Sequence, residues 1–170
     1  MPTIINPDEL RFQSDPSALP QFDLKTLTPR LFKMVGSEQL YFDIRRLDSG
    51  KYSFPYHFHR NAEELMMVIS GSMTLRTPEG LKELQQGELV FFEMGETGAH
   101  QFYNHTETPC TYLDIRTKMG LDVSEYPDSG KINIIPFGEL YEKATRVGYN
   151  KGEEHVEVIW NKLREHISEK

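Results

Sequence analysis

At 170 residues the chain is long enough for one domain with its own hydrophobic core and leaves little length for a second. Its 26 Asp and Glu outnumber 19 Lys and Arg, for a formal charge of −7 without a dense basic block, which excludes nucleic acid as an expected partner. The single cysteine, Cys110, excludes an internal disulfide and agrees with a reducing compartment, the opening MPTIINPDELRFQSD lacks the basic and apolar regions of a targeting segment, and no later apolar run approaches membrane-spanning length. A soluble cytoplasmic protein without a membrane partner is expected.

Residues 1–30 hold Pro2, Pro7, Pro16, Pro20 and Pro29 among turn formers, with short apolar pieces such as Ile4-Ile5 and 24–27. They predict an arm lying across the domain or a neighbouring subunit, not a core element. Strand-like runs follow at 31–35 and 39–47. The second alternates Leu40, Phe42 and Ile44 with Tyr41, Asp43 and Arg45, as suits a sheet with one buried face. Past the Asp48-Ser49-Gly50 turn comes a histidine-bearing stretch, and then strands are expected at 64–70, 73–76, 81–84, 89–93, 99–104 and 109–117, separated by Gly- and Pro-rich turns. With hardly a helical period between 31 and 117, this spacing predicts an all-β sandwich or small barrel over those residues. EYPDSGK at 125–131 predicts a turn-rich loop and 131–136 one more strand, so that 118–136 is a loop with an extra strand. The tail, 137–170, changes period. Phe137, Leu140, Tyr141 and Ala144, then Val156, Ile159, Trp160, Leu163 and Ile167, recur at helical spacing and predict two amphipathic helices, packed on the barrel itself or on a second subunit. A homodimer is compatible with the arm and these helices.

The chemistry gathers in GKYSFPYHFHRNAEELMMVISG, residues 50–71. On an extended strand His57 and His59 point the same way. Glu64, five residues past His59, would face away unless Arg60, Asn61 and Ala62 turn the chain, so a turn is predicted there. Two imidazoles and a carboxylate at this spacing can make a metal site.

Gly50, His57, His59, Glu64 and Gly71 resemble the first signature of the cupin superfamily: a glycine, HxH, a glutamate a few residues on, then six residues and a glycine. Here the first glycine lies one residue further from the histidines than is usual. Gly87, Gly95, His100 and Asn104 resemble the second signature, with Glu93 where a proline usually stands and four residues, not two, between Gly95 and His100. The longer loop would shift that histidine or reshape the pocket mouth. With the 125–131 segment, this loop is also similar to a group of small bacterial cupins, which adds kinship but no substrate. The resemblance implies a single double-stranded β-helix, or jelly-roll barrel, with His57, His59, Glu64 and His100 as metal ligands. The spacing to Gly71 favours Glu64 over Glu63.

Three neutral imidazoles and a carboxylate suit one divalent transition metal ion, Fe, Mn, Ni, Co or Zn, and would leave two positions of an octahedral ion open. If Glu64 faces inward so do Met66 and Val68, and Phe102 accompanies His100, with Phe54 and Tyr56 beside the approach to His57. A mainly apolar and aromatic pocket for a small molecule is therefore expected. His105, His155 and His166 are assigned no chemistry, and Asn104 reads as the closer of a turn. One hypothesis is an enzyme, for which the resemblance implies a dioxygenase, isomerase or decarboxylase without choosing among them; an isomerase or decarboxylase needs a positioned acid or base, for which Glu63, Tyr56 and Tyr103 are candidates. The alternative is a non-catalytic module that binds or senses a small molecule.

Overall fold

The computed structural model describes residues 2–168, with side-chain surroundings up to residue 164. Its strands are β1 (Arg11–Gln13), β2 (Leu24–Thr28), β3 (Leu40–Leu47), β4 (Phe58–His59), β5 (Glu64–Ser70), β6 (Ser72–Thr77), β7 (Gly80–Gln85), β8 (Leu89–Phe92), β9 (Gln101–Tyr103), β10 (Cys110–Thr117), β11 (Asp122–Tyr126), β12 (Lys131–Ile135) and β13 (Glu139–Glu142), with helices α1 (Leu31–Met34) and α2 (Val156–Ser168). One sheet runs β1-β2-β3-β10-β5-β8, a second β13-β12-β11-β4 and a third β7-β6-β9. All pairings are antiparallel. The β4 and β9 sheets are joined edge to edge by a bridge between His57 and His100, giving the jelly-roll enclosure. Among the described residues no helix is long and apolar enough to cross a membrane.

The core lies between the six-stranded and three-stranded sheets, where Leu24, Leu47, Met66, Val68, Met73, Leu75, Leu84, Phe92, Phe102, Cys110 and Tyr112 form one buried cluster. The inward set of β5 is Glu64, Met66 and Val68, as period two requires. Two local devices close the enclosure. Gly71 turns β5 into β6 at φ +79°, and a Cβ there would stand 2.8 Å from the Pro109 carbonyl oxygen, so only glycine fits. Asn104, with no exposure, donates from Nδ2 to Leu47 O and Thr108 O, both at 2.8 Å, and accepts at Oδ1 from the Thr106 N–H and hydroxyl. It closes the turn before β10.

Several elements depart from expectation. The proline-rich arm contributes β1 and β2 to the main sheet, and Leu24 belongs to the core. Residues 31–34 are helical, not extended, because the buried Asp43 carboxylate accepts from the Leu31 N–H at 2.9 Å and the Arg30 Nε at 2.6 Å, holding the first turn of α1. Residues 137–144 form no helix. Gly138, at φ +69°, turns the chain back so that β13 pairs with β12 through Ile132↔Tyr141 and Ile134↔Glu139. Within 125–131, Glu125 and Tyr126 end β11 and Lys131 begins β12, so only the four residues between are turn. Helix α2 lies where expected, but Val156, Ile159, Trp160 and Leu163 are exposed, not packed on the barrel; the side chain of Ile167 lies outside the described residues.

Asn104→Ala removes two donors and an acceptor from a dry site and is expected to cost about 2–4 kcal/mol of stability. The measurement is the urea midpoint of the variant, with an unchanged far-UV circular dichroism spectrum before the transition.

Candidate metal centre

His57 and His100 exchange both backbone hydrogen bonds, His100 N to His57 O at 2.9 Å and His57 N to His100 O at 3.2 Å, so their side chains stand side by side. Their ring centroids are 4.9 Å apart, and those of His57 and His59 are 5.2 Å apart. The chain bends at Arg60 and Asn61, which resets the face and sends Glu64 inward as predicted. His57, His59 and Glu64 each offer one ligand atom within 4.8 Å of the others. Glu64 Oε2 stands 3.1 Å from His100 Nε2, and Glu64 Oε1 3.5 Å from His59 Nε2. All four side chains are buried.

Each imidazole is fixed by its outer nitrogen. His57 Nδ1 donates to Pro55 O and His100 Nδ1 to Gly98 O, both at 2.9 Å; a carbonyl can only accept, so these nitrogens carry hydrogen. His59 Nδ1 meets Asp122 Oδ2 at 2.5 Å, with Ser124 Oγ at 3.2 Å. Phe92 stacks on the His100 ring at 3.8 Å, and Tyr126 stacks on His57 at 5.8 Å. Gly98 cannot be larger, since a Cβ would fall 1.9 Å from Glu93 O. The long loop before His100 thus positions the ring through a backbone oxygen.

His57, His59 and Glu64 are thus brought together as one ligand group, and His100 joins it through Glu64 and not as a member within the same mutual distance. Burial pushes the His57 imidazole down to about 3, helped by His100. Burial alone would raise Glu64, but His100 and the other two imidazoles outweigh it and hold the carboxyl below its usual range. Burial likewise opposes charge on His100, and the Glu64 carboxylate raises its proton affinity in spite of it. Although His100 Nε2 is close, no donor is aligned on Glu64 Oε2, a buried oxygen without a hydrogen bond. An orphaned carboxylate oxygen ringed by imidazoles pinned through Nδ1 demands positive charge, and the donor set fits a transition-metal ion better than a closed thiolate zinc site.

A cavity of about 260 Å³ opens above His57, His59 and Glu64. Phe54 lines it as expected, but Arg30, Asp43, Arg45, Asp114 and Arg116 line it too, so it is not the mainly apolar pocket that the sequence suggested. The reason is register: β3 and β10 turn their charged sets inward, Asp114 lies opposite Asp43 and Arg116 opposite Glu64, and the charges pair as Arg45 Nε with Asp114 Oδ2 at 2.5 Å and Arg30 Nε with Asp43 at 2.6 Å. Met66 and Phe102 lie deeper, beside His100 and Glu64. Glu63 is exposed, Tyr56 is buried beneath Arg76, and Tyr103 stacks on Tyr52; none lines the cavity. Sequence reasoning missed Arg116, Asp114 and the hairpin residues Asp122, Ser124, Tyr126 and Asn133. The two on β10 could have been found from their even spacing with Tyr112.

Fold and pocket together define a class: a jelly-roll barrel whose interior presents a histidine–carboxylate cluster to a small-molecule cavity. Residues 44–116 match the family model described as the cupin domain, and the chain has a cupin-type fold. No curated protein matches it. Among solved structures it is similar to a sugar phosphate isomerase of the cupin superfamily from Silicibacter pomeroyi, at 22% identity and a TM-score of 0.74 over 87% of this chain and 98% of that one. It is also similar to a structure from Acidithiobacillus ferrooxidans bearing the provisional name of a sugar phosphate isomerase, at 26% identity and a TM-score of 0.66 over 73% and 80%. A polyketide cyclase from Streptomyces resistomycificus shares the fold at 21% identity and a TM-score of 0.54, over 69% and 80%.

Because the folded value of His57 lies below the ordinary 6.5, its contribution to stability is full above pH 6.5 and is lost as the pH falls toward 3, where the unfolded chain takes the proton first. In chelator-stripped protein the His57 ring resonances are expected to stay those of a neutral imidazole from pH 8 to about 5. An NMR titration of ring-labelled histidine checks this.

Proposed function

We propose that the chain is a metal-dependent enzyme that holds one divalent transition-metal ion on His57, His59, Glu64 and His100 and isomerises a small hydroxy-carbonyl compound in the cavity above them. The observation that carries this reading is the buried, unpartnered Glu64 Oε2 facing three imidazoles whose outer nitrogens are all engaged. Bound there, the ion would supply a Lewis acid for an oxygen of the ligand.

The chain's own groups supply the rest. Asp122, behind His59, fixes that ring's orientation, as carboxylates behind metal-bound histidines do. Asp114 lines both the cavity and the deeper recess beside Glu64 and His100, and Arg45 holds its carboxylate in place. It is the carboxylate best placed to carry a proton between neighbouring ligand atoms, the step that isomerisation needs. The ion-paired wall suits an oxygen-rich molecule, and the 26% identity to the Acidithiobacillus structure supports isomerisation ahead of oxygenation or decarboxylation.

Protein purified without chelator is expected to carry close to one transition-metal ion per chain by mass spectrometry. His100→Ala should lose it while keeping a β-type circular dichroism spectrum, and Asp122→Asn should weaken metal affinity about 10–100-fold in a competition titration. Asp114→Asn should keep the metal and lose about 10²–10⁴-fold in turnover of aldose–ketose pairs followed by NMR. Metal-free protein without a thermal shift on adding Fe, Mn, Ni or Zn would overturn the metal assignment. Oxygen uptake would make the enzyme an oxygenase, and tight binding without turnover would make it a sensing module.

A further inference from the structure

We infer that Arg116, with Asn133 from the β11–β12 hairpin, forms an anion-and-hydroxyl subsite at the cavity wall, so that the ligand is a small hydroxylated anion. Its place beside the chemistry rests on the metal-enzyme reading above; its recognition of an anion does not.

Arg30 and Arg45 are each matched by an aspartate, but Arg116 has no carboxylate within ion-pair distance among the described residues. It is half-buried, held against the Tyr41 ring with its guanidinium carbon 4.9 Å from the centroid. The acceptor near its Nη1 is His59 Nε2 at 3.4 Å. Asp122 on the other ring nitrogen makes that atom a bare lone pair, the one a metal ion would take. Arg116 would then face the cavity with a fixed charge and nothing to receive its hydrogens. Among the charged groups the two pairs cancel, Arg116 balances Glu64 and Asp122 behind His59 adds one negative charge; a divalent ion would leave the site one charge positive. An anion restores neutrality.

Asn133 Oδ1 is buried, lines the same cavity and accepts no hydrogen bond. A buried acceptor without a donor costs about 1–3 kcal/mol, and a ligand hydroxyl would satisfy it. Arg116, Ser124, Tyr126 and Asn133 all line this one cavity. At about 260 Å³ the space is below that of drug-sized pockets, so the ligand is a small metabolite. A guanidinium serves a phosphate ester or a carboxylate alike.

Calorimetric titration of D-ribose 5-phosphate, D-gluconate and uncharged D-ribose into Mn²⁺-loaded protein tests the subsite, with metal content measured on the same samples. At least one anion is expected to bind about tenfold or more tighter than D-ribose, and Arg116→Gln to lose about 10–100-fold of that affinity at unchanged metal content. Arg116→Lys should recover part of it. The isosteric Asn133→Asp, which needs no refolding of the wall, should weaken both anions more than D-ribose. Tighter binding of the phosphate ester identifies a phosphate group, and tighter binding of gluconate a carboxylate. If neither anion binds, if D-ribose binds as well, or if both Arg116→Gln and Asn133→Asp bind anions like the parent, the subsite is overturned. Arg116-dependent anion binding by protein that retains no metal would leave the subsite standing and defeat the metal-enzyme reading instead.

Discussion

A carboxylate removed from water has to be met by positive charge, and the interior of this barrel is arranged around meeting that demand at Glu64. Burial opposes its ionisation, three imbedded imidazoles favour it, and one of its oxygens still has no aligned donor. Each imidazole is restrained from behind, by Pro55 O, Gly98 O or Asp122, so none can turn its inner nitrogen away to relieve the site. The strain of an unsatisfied polar group is therefore localised at one point, the junction of β4, β5 and β9.

The hairpin of β11 and β12 extends this arrangement beyond the residues that match the cupin domain. It pairs with β4 through Ser124↔His59 and Glu125↔Phe58, and in doing so brings Asp122 and Ser124 behind one ring, Tyr126 over another and Asn133 to the cavity. Arg60 and Lys143 both pair with Glu125, tying the hairpin to the β4 bend and to the turn after β13. A barrel shared with proteins of different chemistries acquires its own polar wall this way, which is why fold likeness alone does not choose a reaction.

Much of the site was legible because its signal is local. His57 and His59 sit two apart, Glu64 follows a turn, and period two on β5 put Met66 and Val68 on the Glu64 face, where the structure has them. What could not be read depends on long-range pairing. Asp122 reaches His59 across 63 residues, and no local pattern marks it. The helical turn at 31–34 is made by the Asp43 carboxylate, so its extended propensity was overridden from another strand. On β3 Ile44 lies in an outer groove with Phe12 and Leu27, because the charged Asp43 and Arg45 find partners inside. The helical spacing at 137–144 lost to a strand partner on β12.

The most direct measurement is an anomalous-difference map from a crystal of protein purified without chelator, recorded across transition-metal absorption edges. The account predicts one peak bounded by the Nε2 atoms of His57, His59 and His100 and an oxygen of Glu64, at about 2.0–2.2 Å from each. A map without that peak, with Glu64 Oε2 instead accepting a hydrogen bond from a protonated His100, would contradict it.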